Sequence, residues 1–275
     1  MSLRDVLPSL VRPFSRLWFG LNPGARILMY HRVADLPAYD QLTVSTANFE
    51  RQIAWLAANR EVVSLPDLLA QISEGRPAAN RVVITFDDGY LDNLENALPV
   101  LEKYQVPATI YVTSEFAAQS SSHPRYRGDS RRLHLNWTEV GRLGRHPLIT
   151  IGSHTVTHPM LSELDAAGAE REISRSKADI ETHTGLDVID FCYPSGNFTE
   201  RERESVKKAG YRSAVTVKPG SNNACADVFA LRRTEVTDKD TPAQLAQKLD
   251  GAFDIFHWLL DLKREKTFSA NRKQA

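Results

Sequence analysis

Two aspartates at the end of one apolar run, and two histidines four residues apart at the end of another, are where this sequence could do chemistry. The first run is VVITFDDGY, Val82–Tyr90, in which Asp87 and Asp88 adjoin Gly89. Neighbouring side chains of a regular strand point to opposite faces, so both carboxylates serve one pocket only if the backbone leaves the strand there. Gly89 makes that feasible because glycine tolerates positive φ. Taken alone, Asp-Asp-Gly is equally ordinary turn chemistry that caps a following helix. The second run is ITIGSHTVTHPM, Ile149–Met160, with His154 and His158. One carboxylate and two neutral imidazoles make a three-ligand set that suits zinc with an open position. Ligand type alone also admits iron, cobalt or nickel. A lone His-x-x-x-His is as readily a pair of surface histidines, and the paired aspartates are what strengthen it. A third turn, FCYPSGNF at Phe191–Phe198, also follows an apolar run. Pro194 and Gly196 force an irregular turn there, and a backbone N–H near Ser195 left facing a pocket is what a tetrahedral oxyanion needs. The plainer reading is a simple Pro-x-Gly turn.

Short β-branched runs alternating with helical patterns must position these turns. The expected strands are Arg26–Tyr30, Val82–Phe86, Ala108–Val112, Leu148–Ile151, Val188–Tyr193 and Ser213–Val217, with a weaker seventh near Phe229–Leu231. Helix starts are marked by Thr46, by Ser64 with Asp67, and by Thr199 with Glu202; Leu91–Tyr104 is periodic, and Asp165–Thr184 closes at Gly185. Such alternation predicts parallel strands covered by helices. About seven strands without a linker-like break favour one α/β barrel, whose chemistry gathers at the strand exits. Ala117–Arg132 is polar and without pattern, either a loop at a site's mouth or a disordered insertion.

The 275 residues include 34 basic and 34 acidic ones, so no global field recruits nucleic acid. Cys192 and Cys225 are too few for a disulfide framework and read as two buried thiols. The first 25 residues carry no uninterrupted apolar run and no cleavage site, so the expected location is cytoplasmic. Leu7, Leu10, Val11, Phe14, Leu17, Trp18 and Phe19 form one side of a Pro-interrupted helix, packed on the domain itself or lying on a membrane surface.

TFDDG (Thr85–Gly89), SHTVTH (Ser153–His158) and FCYPSG (Phe191–Gly196) together resemble, in order and spacing, the polysaccharide deacetylase family of carbohydrate esterases, also called the NodB-homology family or carbohydrate esterase family 4. The resemblance spans roughly residues 26–237, and ILMYHRV (Ile27–Val33) and ALRRTEV (Ala230–Val236) further resemble its exopolysaccharide-biosynthesis branch. It implies an irregular (β/α)7-type barrel over 26–250, flanked by the amphipathic extension 1–25 and by a C-terminal helix and basic tail, 251–275. It implies a divalent metal, usually zinc, on Asp88, His154 and His158, with Asp87 as catalytic base and the Ser195 amide at the oxyanion. A water whose pKa the metal lowers would remove N-acetyl groups from an amino sugar in an oligo- or polysaccharide, soluble or lipid-linked. Sugar-ester O-deacetylation, or glycan binding without turnover, are the alternatives.

The sequence departs from the family pattern at three points. Many members carry an arginine that orients the base where Cys192 stands, and a tyrosine at Ser195. Arg233 is the best replacement for the arginine, with Arg232 the alternative. The Leu-x-His motif that supplies the general acid has no clean match, leaving His31 and His257 as candidates. Tyr30, Tyr90 and Tyr193, with Pro194, either line a sugar subsite or fill the barrel. Trp137 reads as a packing residue; His123, His134, His146 and His183 read as solvated.

Overall fold

The apolar runs become strands because every residue of RILMY (β1, Arg26–Tyr30) and ATIYV (β6, Ala108–Val112) is buried, the signature of a sheet covered on both faces. The computed structural model describes residues 24–76, 78–126, 129–251 and residue 254. The amphipathic extension up to residue 23, His257 and the basic tail lie outside the described residues. In chain order the further strands are β2 (Arg32–Val33), β3 (Thr43–Val44), β4 (Glu61–Val62), β5 (Arg81–Phe86), β7 (Ile149–Ser153), β8 (Asp190–Cys192), β9 (Ser213–Val215) and β10 (Arg233–Glu235). The helices are α1 (Thr46–Asn59), α2 (Leu65–Ser73), α3 (Leu98–Tyr104), α4 (Ser114–Ala117), α5 (Trp137–Gly144), α6 (Ala166–Thr184), α7 (Glu200–Lys208) and α8 (Pro242–Leu249).

The main sheet runs β10-β1-β5-β6-β7-β8-β9, all parallel, with β4 added beside β5. It curls into a nearly closed (β/α) barrel, its two ends approaching through a single bridge between Val215 and Leu231. Phe49, Ile53, Leu56, Ile84, Phe86 and Ile173 are fully buried between helices and sheet. Each such side chain contributes roughly 1.5–3 kcal/mol of transfer free energy. Among the described residues no helix is long and apolar enough to cross a membrane.

Register is what matters for chemistry. Tyr30 pairs with Phe86, Val112 with Ser153, and Ser153 with Phe191. The next residues along the chain, among them His31, Asp87 and His154, therefore leave the sheet at one end, the end at which β8 stops with Cys192.

Three expectations need correction. The seventh strand is Arg233–Glu235 rather than Phe229–Leu231, because β1 takes its register from Ile27↔Arg233. Leu91–Tyr104 is not one helix: a π-helical turn, Asn93–Ala97, precedes α3, and its Asn93 Nδ2 donates to the His31 carbonyl at 2.8 Å. Cys225 is exposed; only Cys192 is a buried thiol.

Candidate active site

Asp88 and Gly89 adopt φ of +69° and +59°, two successive left-handed residues that turn the chain out of β5. Aspartate tolerates this region better than most residues. A Cβ on Gly89 would lie 3.3 Å from Val112 Cγ2 on β6, so glycine also allows the close approach. The turn is pinned by Leu91 N–H to the Leu133 carbonyl (2.7 Å) and Leu135 N–H to that of Gly89 (2.9 Å).

Past β7, Thr155 and His158 are left-handed too, at φ of +68° and +60°. The His158 N–H donates to Thr155 Oγ1 at 3.0 Å. Glu172 on α6 holds the loop between the histidines, its carboxylate accepting from the N–H groups of Val156 (2.8 Å) and Thr157 (2.9 Å) and from the Thr157 hydroxyl (2.9 Å).

These turns bring Asp88, His154 and His158 together. Asp88 Oδ1 lies 3.6 Å from His154 Nε2 and 3.5 Å from His158 Nε2. It is buried and has no hydrogen-bond partner among the described residues, a costly state for a carboxylate oxygen unless something else fills it. Bonds of about 2.0–2.2 Å at tetrahedral angles put neighbouring donors roughly 3.3–3.6 Å apart, so one zinc-sized cation fits the trio. His154 Nδ1 sits 2.8 Å from the Cys192 carbonyl. A carbonyl only accepts, so Nδ1 carries the proton and Nε2 presents its lone pair. Burial pushes the His154 pKa down to about 4, keeping the ring neutral near pH 7. Burial opposes ionisation of Asp88, but the charge of the surrounding histidines when protonated, His158 and His154 foremost, lowers its pKa below the ordinary value.

Asp87 points to a different partner. Arg233, fully buried on β10, grips it with Nη1 on Oδ1 at 2.6 Å and Nη2 on Oδ2 at 2.7 Å. The guanidinium is itself held by Nε to the Thr216 carbonyl (2.8 Å) and Nη1 to Thr85 Oγ1 (3.1 Å). Burial works against ionising Asp87, yet the charge and hydrogen bonds of Arg233 prevail, so the carboxyl titrates well below the usual range. Arg232 instead is exposed and donates to the Pro219 carbonyl.

Asp87, His154 and Cys192 form a second triplet whose donor atoms lie within 4.8 Å of one another. It does not suit a cation. Arg233 Nη2 stands 3.1 Å from Cys192 Sγ, and burial drives the thiol pKa well above its ordinary value, whereas a metal requires the thiolate. Of these two groups among the described residues, the Asp88 trio is the one that fits.

In the third turn Ser195 is exposed and left-handed at φ +53°. Tyr193 is a core residue: it is fully buried, its hydroxyl donates to the Phe229 carbonyl (3.2 Å), and its ring stacks on Phe198 at 4.2 Å. Pro194 is buried beside it. Tyr30 and Tyr90 are buried as well. All three tyrosines are thus packing residues rather than the lining of an open subsite, Tyr30 and Tyr193 lying between sheet and helices. Trp137 packs as expected, stacked on the exposed His183 at 4.5 Å.

Two histidines read as solvated belong to the site. His134 is 2% exposed, with Nδ1 on the Asp88 carbonyl at 3.0 Å and its ring stacked 4.6 Å from Tyr90. His123, from the polar insertion, lies 5.2 Å from the His158 ring. No local pattern announced either one. A histidine inside a long polar insertion was the only signal available.

Residues 74–214 match the family model named polysaccharide deacetylase. The chain is 30% identical to Bacillus subtilis YxkH, itself classed as a polysaccharide deacetylase, over 77% of this chain and 71% of that one. It is 25% identical to the poly-β-1,6-N-acetyl-D-glucosamine N-deacetylase of Escherichia coli over 82% of its length, but spans only 38% of that protein. Among solved structures, the Streptococcus pyogenes deacetylase PplD in complex with acetate superposes with a TM-score of 0.72 at 23% identity, covering 82% of this chain and 99% of that one. The fold and these matches define a polysaccharide deacetylase barrel. The chain belongs to the polysaccharide deacetylase family, hydrolases that act on acetylated polysaccharide.

Proposed function

We propose that the chain is a metal-dependent N-deacetylase that frees acetate from an N-acetylated amino sugar within an oligo- or polysaccharide. One observation carries the reading: a buried Asp88 Oδ1, without a hydrogen-bond partner among the described residues, faces two imidazole nitrogens, beside a second carboxylate that an arginine holds ionised. Asp88, His154 and His158 would hold the metal, and zinc suits this donor set. A divalent cation there supplies Lewis acidity toward the acetamide carbonyl and lowers the pKa of water.

The chain's own groups do the rest. Asp87 accepts the proton of the attacking water while Arg233 fixes the direction of its lone pairs. The Ser195 amide, in its left-handed turn, donates to the developing oxyanion. The departing nitrogen must be protonated, since an amide anion is too poor a leaving group. We assign that proton to His31, which follows Tyr30 at the exit of β1, beside the exit of β5 where the Asp87 N–H donates to the Tyr30 carbonyl at 3.0 Å. The E. coli relative's substrate makes poly-β-1,6-linked N-acetylglucosamine the first polymer to test, soluble or lipid-linked.

The deciding assay is acetate release with and without added zinc. Asp87→Asn is expected to lower kcat at least about 10²-fold while keeping its metal, as loss of a general base does. Asp88→Ala combined with His154→Ala is expected to lose the metal altogether. Equal turnover by wild type and Asp87→Asn would remove the base, and retained zinc in the double variant would remove the ligand set.

A further inference from the structure

Resting on that reading, we propose that His123 is a substrate-facing hydrogen-bond donor, by which the insertion after α4 positions the sugar ring that bears the acetamido group. The segment around it is fixed in place. Tyr126 Oη donates to Asp40 Oδ2 at 2.6 Å and Arg125 Nε to Asp40 Oδ1 at 2.8 Å. The Arg32 guanidinium lies 4.9 Å from the Tyr126 ring and 5.3 Å from that of Tyr90. Arg32 is itself anchored by Nε to Asp92 at 2.9 Å.

Hydrogen bonding then settles which nitrogen of His123 is a donor. The Arg125 N–H donates to His123 Nδ1 at 3.2 Å, so the neutral ring carries its proton on Nε2. Among the described residues no group accepts that proton. The His123 N–H in turn donates to His134 Nε2 at 3.2 Å, and His134 Nδ1 reaches the Asp88 carbonyl at 3.0 Å. One chain of bonds thus ties the insertion to the proposed metal ligand. The ring stands 5.2 Å from His158, beside the trio, and the charge of Asp88 reaches it. A spare N–H at that place complements a sugar oxygen next to the acetamido group. The buried groups beside it do not supply this: Arg233 and His154 already bond to Asp87 and to the Cys192 carbonyl, and the ionised carboxylates Asp87 and Asp88 only accept.

Two substitutions separate the donor from the loop it sits in. His123→Asn keeps an acceptor at the Nδ1 position for the Arg125 N–H but loses the outer donor, whereas His123→Gln keeps a donor at the reach of Nε2. Steady-state kinetics of the zinc-loaded proteins are measured on an N-acetylglucosamine tetramer and on 4-nitrophenyl acetate, with zinc content alongside. For His123→Asn we expect KM on the tetramer to rise about 3–10-fold, the effect of one neutral hydrogen bond. Zinc content and the sugar-free ester should stay unchanged, and His123→Gln should recover most of the loss. Unchanged tetramer kinetics, or equal losses on both substrates, would overturn the assignment. If the wild type releases no acetate from the tetramer, the deacetylase reading fails instead. Calorimetric binding of the tetramer then decides for His123: weaker binding by His123→Asn upholds the inference, and equal binding ends it.

Discussion

Cys192 and Arg233 show how a side chain can be exchanged in sequence while its chemistry stays in place. The resemblance implies an arginine at position 192, but a thiol stands there, and the guanidinium arrives from the last strand to meet Asp87 through two bonds of 2.6 and 2.7 Å. A planar fork matches a carboxylate in a way an ammonium cannot. Arg233→Lys is therefore expected to lower kcat for acetate release roughly 10–100-fold, as loss of supporting partners commonly does. Zinc content, measured on the same preparation, should not change, because the trio does not touch Arg233. A fall in zinc parallel to kcat would mean that the arginine supports the fold rather than the base.

At the scale of elements, α6 does more than cover the sheet. Glu172, near its start, takes three hydrogen bonds from the loop between the two histidines. Glu172→Ala should weaken zinc affinity by about tenfold or more, read by competition with a chromophoric chelator, and lower the melting temperature only slightly. Unaltered affinity would show that the left-handed residues Thr155 and His158 hold the loop without help. The elements also show what was legible in the sequence. Strands β1, β5 and β6 were evident, because continuous apolar runs leave few alternatives. So were the helix starts at Ser64, whose hydroxyl accepts from the Asp67 N–H, and at Thr199, whose N–H and hydroxyl both donate to the Glu202 carboxylate. Strand β10 was misplaced: Arg-Thr-Glu carries no apolar signal, since its arginine turns inward to serve Asp87. The insertion gave no pattern because its order comes from side chains far apart in sequence, Asp40 with Arg125 and Tyr126. His123 and His134 were hidden for the same reason. The grouping of Asp87, Asp88, His154 and His158 was brought into view by paired motifs, while the fate of Tyr193 depended on packing that no local pattern reports.

For the whole molecule, a further buried carboxylate, away from Asp87 and Asp88, has a different consequence. Asp190 is fully buried; its Oδ1 takes the Ser213 hydroxyl at 2.6 Å, and neither its Oδ2 nor the Tyr111 hydroxyl has a partner among the described residues. Burial raises its pKa to about 6, above the roughly 3.9 of an unfolded aspartate. The folded state therefore binds the proton more tightly. This stabilisation is complete below about pH 4 and is lost as pH rises through about 6. At pH 7 the ionised group opposes folding by an amount on the order of 1–3 kcal/mol. Asp190→Asn should raise the melting temperature by a few degrees at pH 7 and give little gain at pH 4. An equal difference at both pH values would show that ionisation is not the cause.

Arg233 comes from the strand farthest along the sheet path from β9, and nearly 150 positions separate it in sequence from the carboxylate it grips. As the polypeptide emerges during synthesis, Asp88, His154 and His158 are all made well before that arginine. An incomplete product could thus capture a cation while its base swings free, and competence would wait for the closing stretch to dock. Timing of this kind ties the onset of hydrolysis to completion of the barrel.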